Sequence, residues 1–110
     1  MNFSIYTTQP FDKKLKRLAK KFPSLKIEFA QLIALITSKP ETGIPLGSNC
    51  FKIRMSIKSK GKGKSGGARV ITFVYLQNKS VYLLTMYDKG EKTDLLPGEL
   101  EEMIKSLELT

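Results

Sequence analysis

The amino-acid sequence predicts an α+β fold, an antiparallel β-sheet with helices packed mainly on one face, in the order βααβββα. Three observations predict it. Two early stretches carry apolar residues at helical spacing, three later ones alternate or are rich in β-branched and aromatic residues, and a final helical stretch follows Pro97-Gly98. At 110 residues the chain has the size of one domain, spanning 1–110.

Phe3 to Thr7 holds Ile5 and Tyr6 and reads as a short first strand. A helix follows from about Pro10 to Phe22, with proline tolerated in its first turn. Phe11, Leu15, Leu18, Ala19 and Phe22 form its apolar face, and Lys13, Lys14, Lys16, Arg17, Lys20 and Lys21 take the others. Pro23 breaks that helix, and Pro23-Ser24 starts a second, which runs to Lys39 before Pro40. This second helix is apolar nearly all round, which predicts one side against the sheet and another against the first helix. Pro40 to Asn49 holds two prolines and two glycines and reads as irregular.

Cys50 to Ile57 alternates, with Phe51, Ile53, Met55 and Ile57 on one face and Lys52, Arg54, Ser56 and Lys58 on the other. Lys58 to Gly67 is a loop. Ala68 to Leu76 and Val81 to Tyr87 are strands joined by the turn Gln77-Asn78-Lys79-Ser80. The last helix, about Pro97 to Leu107, has Leu100, Met103, Ile104 and Leu107 on its apolar side. Its glutamates Glu99, Glu101, Glu102 and Glu108 predict docking partly through charge, weakened by salt.

The composition excludes several chemistries. With no histidine and one cysteine, Cys50, the chain offers no zinc site and no internal disulfide, so no metal or cofactor is expected. Cys50 beside a strand reads as a small buried hydrophobe. No apolar run approaches the roughly 20 residues that span a bilayer, and the N-terminus lacks signal-peptide character. A cytoplasmic protein with no membrane partner is the expectation.

The net charge is +9, and it is unevenly placed. Lys52 to Arg69 holds seven cations and no acid, whereas Asp88 to the end holds seven acids and three lysines. Such asymmetry favours a polyanionic partner for the middle of the chain. Gly63-Lys64-Ser65 suggests a phosphate loop, but Lys58 stands where that pattern needs glycine, and the segment feeds a strand rather than a helix. The stronger signal is the strand face. Lys52, Arg54 and Lys58, with Arg69 across the loop, form a cationic surface suited to phosphates, where arginine offers a two-pronged fork and lysine a point charge. Lys58, Lys60, Lys62 and Lys64 are the expected nucleic-acid-binding residues of the loop.

Phe51-Lys52-Ile53-Arg54, Arg69-Val70-Ile71-Thr72-Phe73 and Tyr82-Leu83-Leu84-Thr85-Met86-Tyr87-Asp88-Lys89 resemble successive strands of RelE-type toxins. The lysine-glycine loop from Ser59 to Gly67 resembles the HigB-like subgroup, and Phe22-Pro23-Ser24-Leu25 resembles the family's interhelical turn. The resemblance implies the toxin of a toxin–antitoxin module: an mRNA interferase that cuts messenger RNA in the ribosomal A site. The ribose 2′-hydroxyl attacks the adjacent phosphate without a metal, leaving a 2′,3′-cyclic phosphate and a 5′-hydroxyl. It implies Lys52, Arg54 and Arg69 around that phosphate, with Lys89 contributing. Two positions depart from the family pattern, Gly90 where an arginine is usual and Leu96 where a tyrosine is usual. Tyr87 is the candidate replacement for the tyrosine.

Without histidine, cationic donors around the transition state supply most of the rate enhancement, each worth about 3 kcal/mol. A lysine begins near pKa 10.4, and clustered like charges favour its neutral form. Lys52 is thus the expected acceptor of the 2′-hydroxyl proton, Arg54 and Arg69 the phosphate clamp, and Lys89 the partner of the leaving oxygen. The implied partners are a cognate antitoxin, the ribosome and messenger RNA, with the chain monomeric when free of antitoxin. Two other readings stay open: a gyrase poison resembling ParE toxins, which lack the basic cluster, and a non-catalytic RNA- or ribosome-binding protein.

Overall fold

The computed structural model describes residues 2–60 and 66–109. Its elements are β1 (Ser4–Thr7), α1 (Gln9–Lys21), α2 (Leu25–Ser38), β2 (Ile44–Gly47), β3 (Cys50–Met55), β4 (Ala68–Tyr75), β5 (Ser80–Asp88) and α3 (Glu99–Lys105). They form one five-stranded sheet in the order β1-β5-β4-β3-β2.

The helix signals in the sequence act as expected. Thr8 caps α1 by accepting the Phe11 N–H at 3.2 Å, and Pro10 sits in the first turn, where no intrahelical N–H is needed. Phe11 and Leu18 of α1 and Leu25, Leu32 and Ile36 of α2 are buried against Ile53, Met55, Val70, Val81, Leu83 and Met86 of the sheet. α2 is less enclosed than its apolar surface predicts, because Ile27 and Leu35 remain exposed.

The α+β class is as read, with α1 and α2 on one face, and the structure adds three features. First, Ile44–Gly47 is a strand, paired antiparallel with β3 through a two-residue turn at Ser48 and Asn49, both with positive φ. Pro45 is tolerated there because β2 is an edge strand. Second, β1 pairs with β5 in parallel, so the sheet is mixed, whereas the other three pairings are antiparallel. Third, α3 lies on the face opposite α1 and α2, over Cys50, Ile71, Leu84 and Tyr87. The cause is in β4 and β5, which are apolar on both sides and need cover on both. A bulge at Leu84, which gives β5 one extra residue against β4, keeps both faces filled.

α3 and its flanks dock mainly through Leu95, Leu100, Met103, Ile104 and Leu107 rather than through charge. Glu101, Glu102 and Glu108 are exposed, and Glu99 pairs with Lys92 at 2.9 Å inside the same segment. Among the described residues, the ion pair that ties the segment to the sheet is Lys52–Asp94, and such exposed pairs contribute about 0–1 kcal/mol. Hydrogen exchange of residues 98–107 is therefore expected to change little between low and high salt. Strong deprotection by salt would restore the electrostatic account.

The start of the basic loop is tied down by a residue that the sequence does not advertise. Glu28 of α2 is buried and accepts the Lys58 N–H at 2.7 Å and the Ser24 hydroxyl at 3.0 Å. The Ser59 N–H donates to Ser24 Oγ at 2.9 Å. Gly67, at the other end, passes so close to Met55 that a β-carbon would sit 2.1 Å from the Met55 carbonyl oxygen. Both anchors bring β3 and β4 together where Arg54 meets Arg69.

Candidate functional site

Side chains alternate across a strand, so Lys52 and Arg54 share the face of Cys50, and Arg69 shares that of Ile71. Register then joins them. Arg54 lies opposite Arg69, and Arg69 lies opposite Tyr87, giving a three-strand row on the face that α3 covers. Strands are about 4.8 Å apart and residues two apart on one strand about 7 Å, so Lys52, Arg54, Arg69 and Tyr87 occupy one small area. Like charges directly opposite each other are destabilising. Two arginines side by side can hold one anion between two fork-shaped donors.

Lys89 follows the row. Its N–H donates to the Gly67 carbonyl at 2.9 Å, and its ammonium donates to the Thr93 carbonyl at 2.8 Å. The structure thus places all five residues named from sequence, Lys52, Arg54, Arg69, Tyr87 and Lys89, at one end of one sheet face. It also adds Asp94. The Lys52 ammonium is 3.5 Å from Asp94 Oδ1. The Leu95 N–H, then the charge of Lys52, with a smaller contribution from Lys89, hold the Asp94 carboxyl below the usual aspartate range. An acid just before a helix was the available signal for Asp94, but nothing local connects it to Lys52.

The row is partly covered. Arg69 and Tyr87 are each 5% exposed, whereas Arg54 is open to solvent. Arg69 donates to the Ala68 carbonyl at 3.2 Å. The Tyr87 hydroxyl is buried and has no hydrogen-bond partner among the described residues, and Lys92 lies 5.8 Å from the ring centroid. Burial, and next the Asp94 charge, push the Tyr87 phenol up, against a smaller opposing effect of Arg69. The phenol therefore keeps its proton throughout the neutral range. On the open side Lys52 and Arg54 line a groove of about 440 Å³ with Thr42, Gly43 and Ile44.

The loop cations do not act as one set. β3 ends at Met55, so Lys58 leaves the strand row for a 3-10 turn, its side chain exposed. Lys60 turns inward and pairs with Asp88, beside the Phe22 ring. It does not present a free charge to solvent. Lys62 and Lys64 lie outside the described residues. Cys50 is buried under α3, and burial, with a contribution from Glu101, pushes its thiol up to about 11. It is an inert packing residue, as expected.

No family model matches the sequence. The structure is similar to that of E. coli toxin RelE, solved in the free state with two arginines replaced by alanine. The TM-score is 0.62, over 97% of this chain and 99% of that chain, with 14% of residues identical. The strand order, the α1–α2 pair on one face and the basic row on the other belong to a chain that has the RelE toxin fold.

Proposed function

We propose that this protein is the toxin of a toxin–antitoxin module and a ribosome-dependent endoribonuclease that cuts messenger RNA in the A site. The observation that carries this reading is the Arg54–Arg69–Tyr87 row with Lys52 and Lys89 at its edges. Arg54 and Arg69 hold the non-bridging oxygens of the scissile phosphate and neutralise the charge that builds up in the transition state. Lys52 takes the proton of the 2′-hydroxyl as its oxygen bonds to phosphorus. The bond to the 5′-oxygen breaks, and Lys89 or the protonated Tyr87 phenol returns a proton to it, leaving a 2′,3′-cyclic phosphate and a 5′-hydroxyl. Asp94 pairs with Lys52 in the free chain, so the incoming strand has to part that pair before Lys52 acts as the base.

The RelE neighbour's name supports the toxin reading, and the cognate antitoxin is the partner expected to cover the basic row, with exposed Ile27 and Leu35 of α2 as further contacts. Burial of Arg69 and Tyr87 favours one alternative, a protein that binds RNA or ribosomes without turnover. Translation of a defined message with the protein present, followed by mapping of 5′ ends, tests the proposal. Discrete A-site cuts with 5′-hydroxyl ends are expected. Inhibition without cuts would leave a binder, and trapped gyrase–DNA complexes would indicate a ParE-like activity.

A further inference from the structure

α1 carries six cations and one acid, Asp12. Their fates differ. Lys14 turns toward β5 and donates to Thr85 Oγ1 at 2.8 Å. Arg17 and Lys21 share Glu91, at 2.9 and 3.4 Å. Lys13, Lys16 and Lys20 remain exposed, joined by Lys26 of α2, and none of the four is in an ion pair among the described residues. At 3.6 residues per turn, positions 13, 16, 17 and 20 fall in one sector of the helix, about 10 Å long. Neighbours at i+3 and i+4 repel one another. Two shallow grooves run beside this ridge. One is walled by Lys13, Lys16, Arg17, Lys20 and Lys21, the other by Lys16, Ala19, Lys20 and Lys26.

We propose that this outer face of α1, with Lys26, docks on the phosphate backbone of double-helical RNA. The chemistry of the face selects that occupant. Phe11 and Phe22 are buried, so no aromatic side chain is offered for stacking on unpaired bases. The apolar side of α1 is spent in the core, so α1 itself exposes no large apolar side chain to enter a lipid layer. What remains is a rigid row of point charges about one helical turn apart, suited to the dense, regular charge of a duplex. Lysines at a backbone read charge and not sequence. RNA rather than DNA rests on the proposed function, because the Arg54–Arg69 row on the opposite face of the sheet would take the single strand that is cut. The chain would then hold structured RNA with one face and the scissile strand with the other, which raises the effective concentration of each.

The test is equilibrium binding of the full chain to an RNA hairpin, a DNA duplex of the same sequence and anionic vesicles, over a range of salt. Lys16→Glu with Lys20→Glu is compared with Lys39→Glu with Lys105→Glu, since both pairs replace exposed lysines and lower the net charge from +9 to +5. The first pair is expected to weaken hairpin binding at least tenfold and to reduce the salt slope by about 2, near 0.7–0.9 per lost phosphate contact. The second is expected to leave both nearly unchanged. Equal losses in the two variants, or wild-type binding to DNA or vesicles in preference to the hairpin, would overturn the proposal. Cleavage is not read, so a row that never cuts RNA leaves this result standing.

Discussion

Arg69→Ala is expected to slow cleavage about a hundredfold or more while leaving the chain folded. Arg69 occupies the middle of the row, between Arg54 and Tyr87, and its removal takes away a donor at the phosphate. It also takes away the positive charge that holds the Tyr87 phenol down, so that phenol should rise further and become a poorer proton donor. Folding should survive, because the substitution relieves the repulsion between directly opposed arginines and so offsets part of the packing lost. Arg69→Lys should restore activity only in part, since a point charge cannot reproduce the two-pronged fork. Single-turnover cleavage on saturated ribosomes reports chemistry apart from affinity. Full-rate cleavage by folded Arg69→Ala would falsify the assignment and leave Arg69 a structural charge.

Asp88→Ala is expected to cost about 3 kcal/mol of stability at neutral pH. The Asp88 side chain is 3% exposed and the Lys60 side chain 14%, so the pair is shielded from water. Asp88 also accepts the Gly90 N–H at 3.0 Å and has Lys21 at 3.8 Å. Its loss leaves Lys60 desolvated without a counter-charge and frees the turn after β5. The low end of the range for broken buried pairs applies, because Lys60 can swing toward solvent. The pH dependence follows from the same contacts. Burial acts to raise the Asp88 carboxyl, but the Lys60 hydrogen bond, the Gly90 N–H and the nearby lysines outweigh it and hold it below its ordinary 3.8. A depressed carboxyl stabilises the fold above the ordinary value and loses that contribution as pH falls through the folded one. Urea midpoints should therefore separate wild type from Asp88→Ala at pH 7 and converge as the pH drops below 3.8. A constant gap at all pH values would mean that the substitution acts through packing alone.

Much of the site was legible from local pattern. Strict alternation in Cys50 to Ile57 puts Lys52 and Arg54 on one face, and the break before Arg69 marks a strand start. The end of that face was not legible, because β3 stops at Met55 and Lys58 is drawn into a turn by Glu28. Lys60 reads as a loop cation from its neighbours in sequence, yet its partner Asp88 is 28 residues away. β2 was hidden by Pro45, which strands tolerate chiefly at edges and bulges, and by Gly47, which weakens the strand pattern.

The helices, the three strands that carry the candidate chemistry, the charge asymmetry and the inert role of Cys50 all follow from the order of residues along the chain. They rest on periods of 3.6 and 2 and on composition, which are properties of consecutive residues. That Arg54, Arg69 and Tyr87 are neighbours, that α3 crosses to the far face and that Asp94 meets Lys52 became visible once the chain was packed. Strand register, the face a helix chooses and the partner of a buried charge depend on how distant segments fill the same space, and no local period records that.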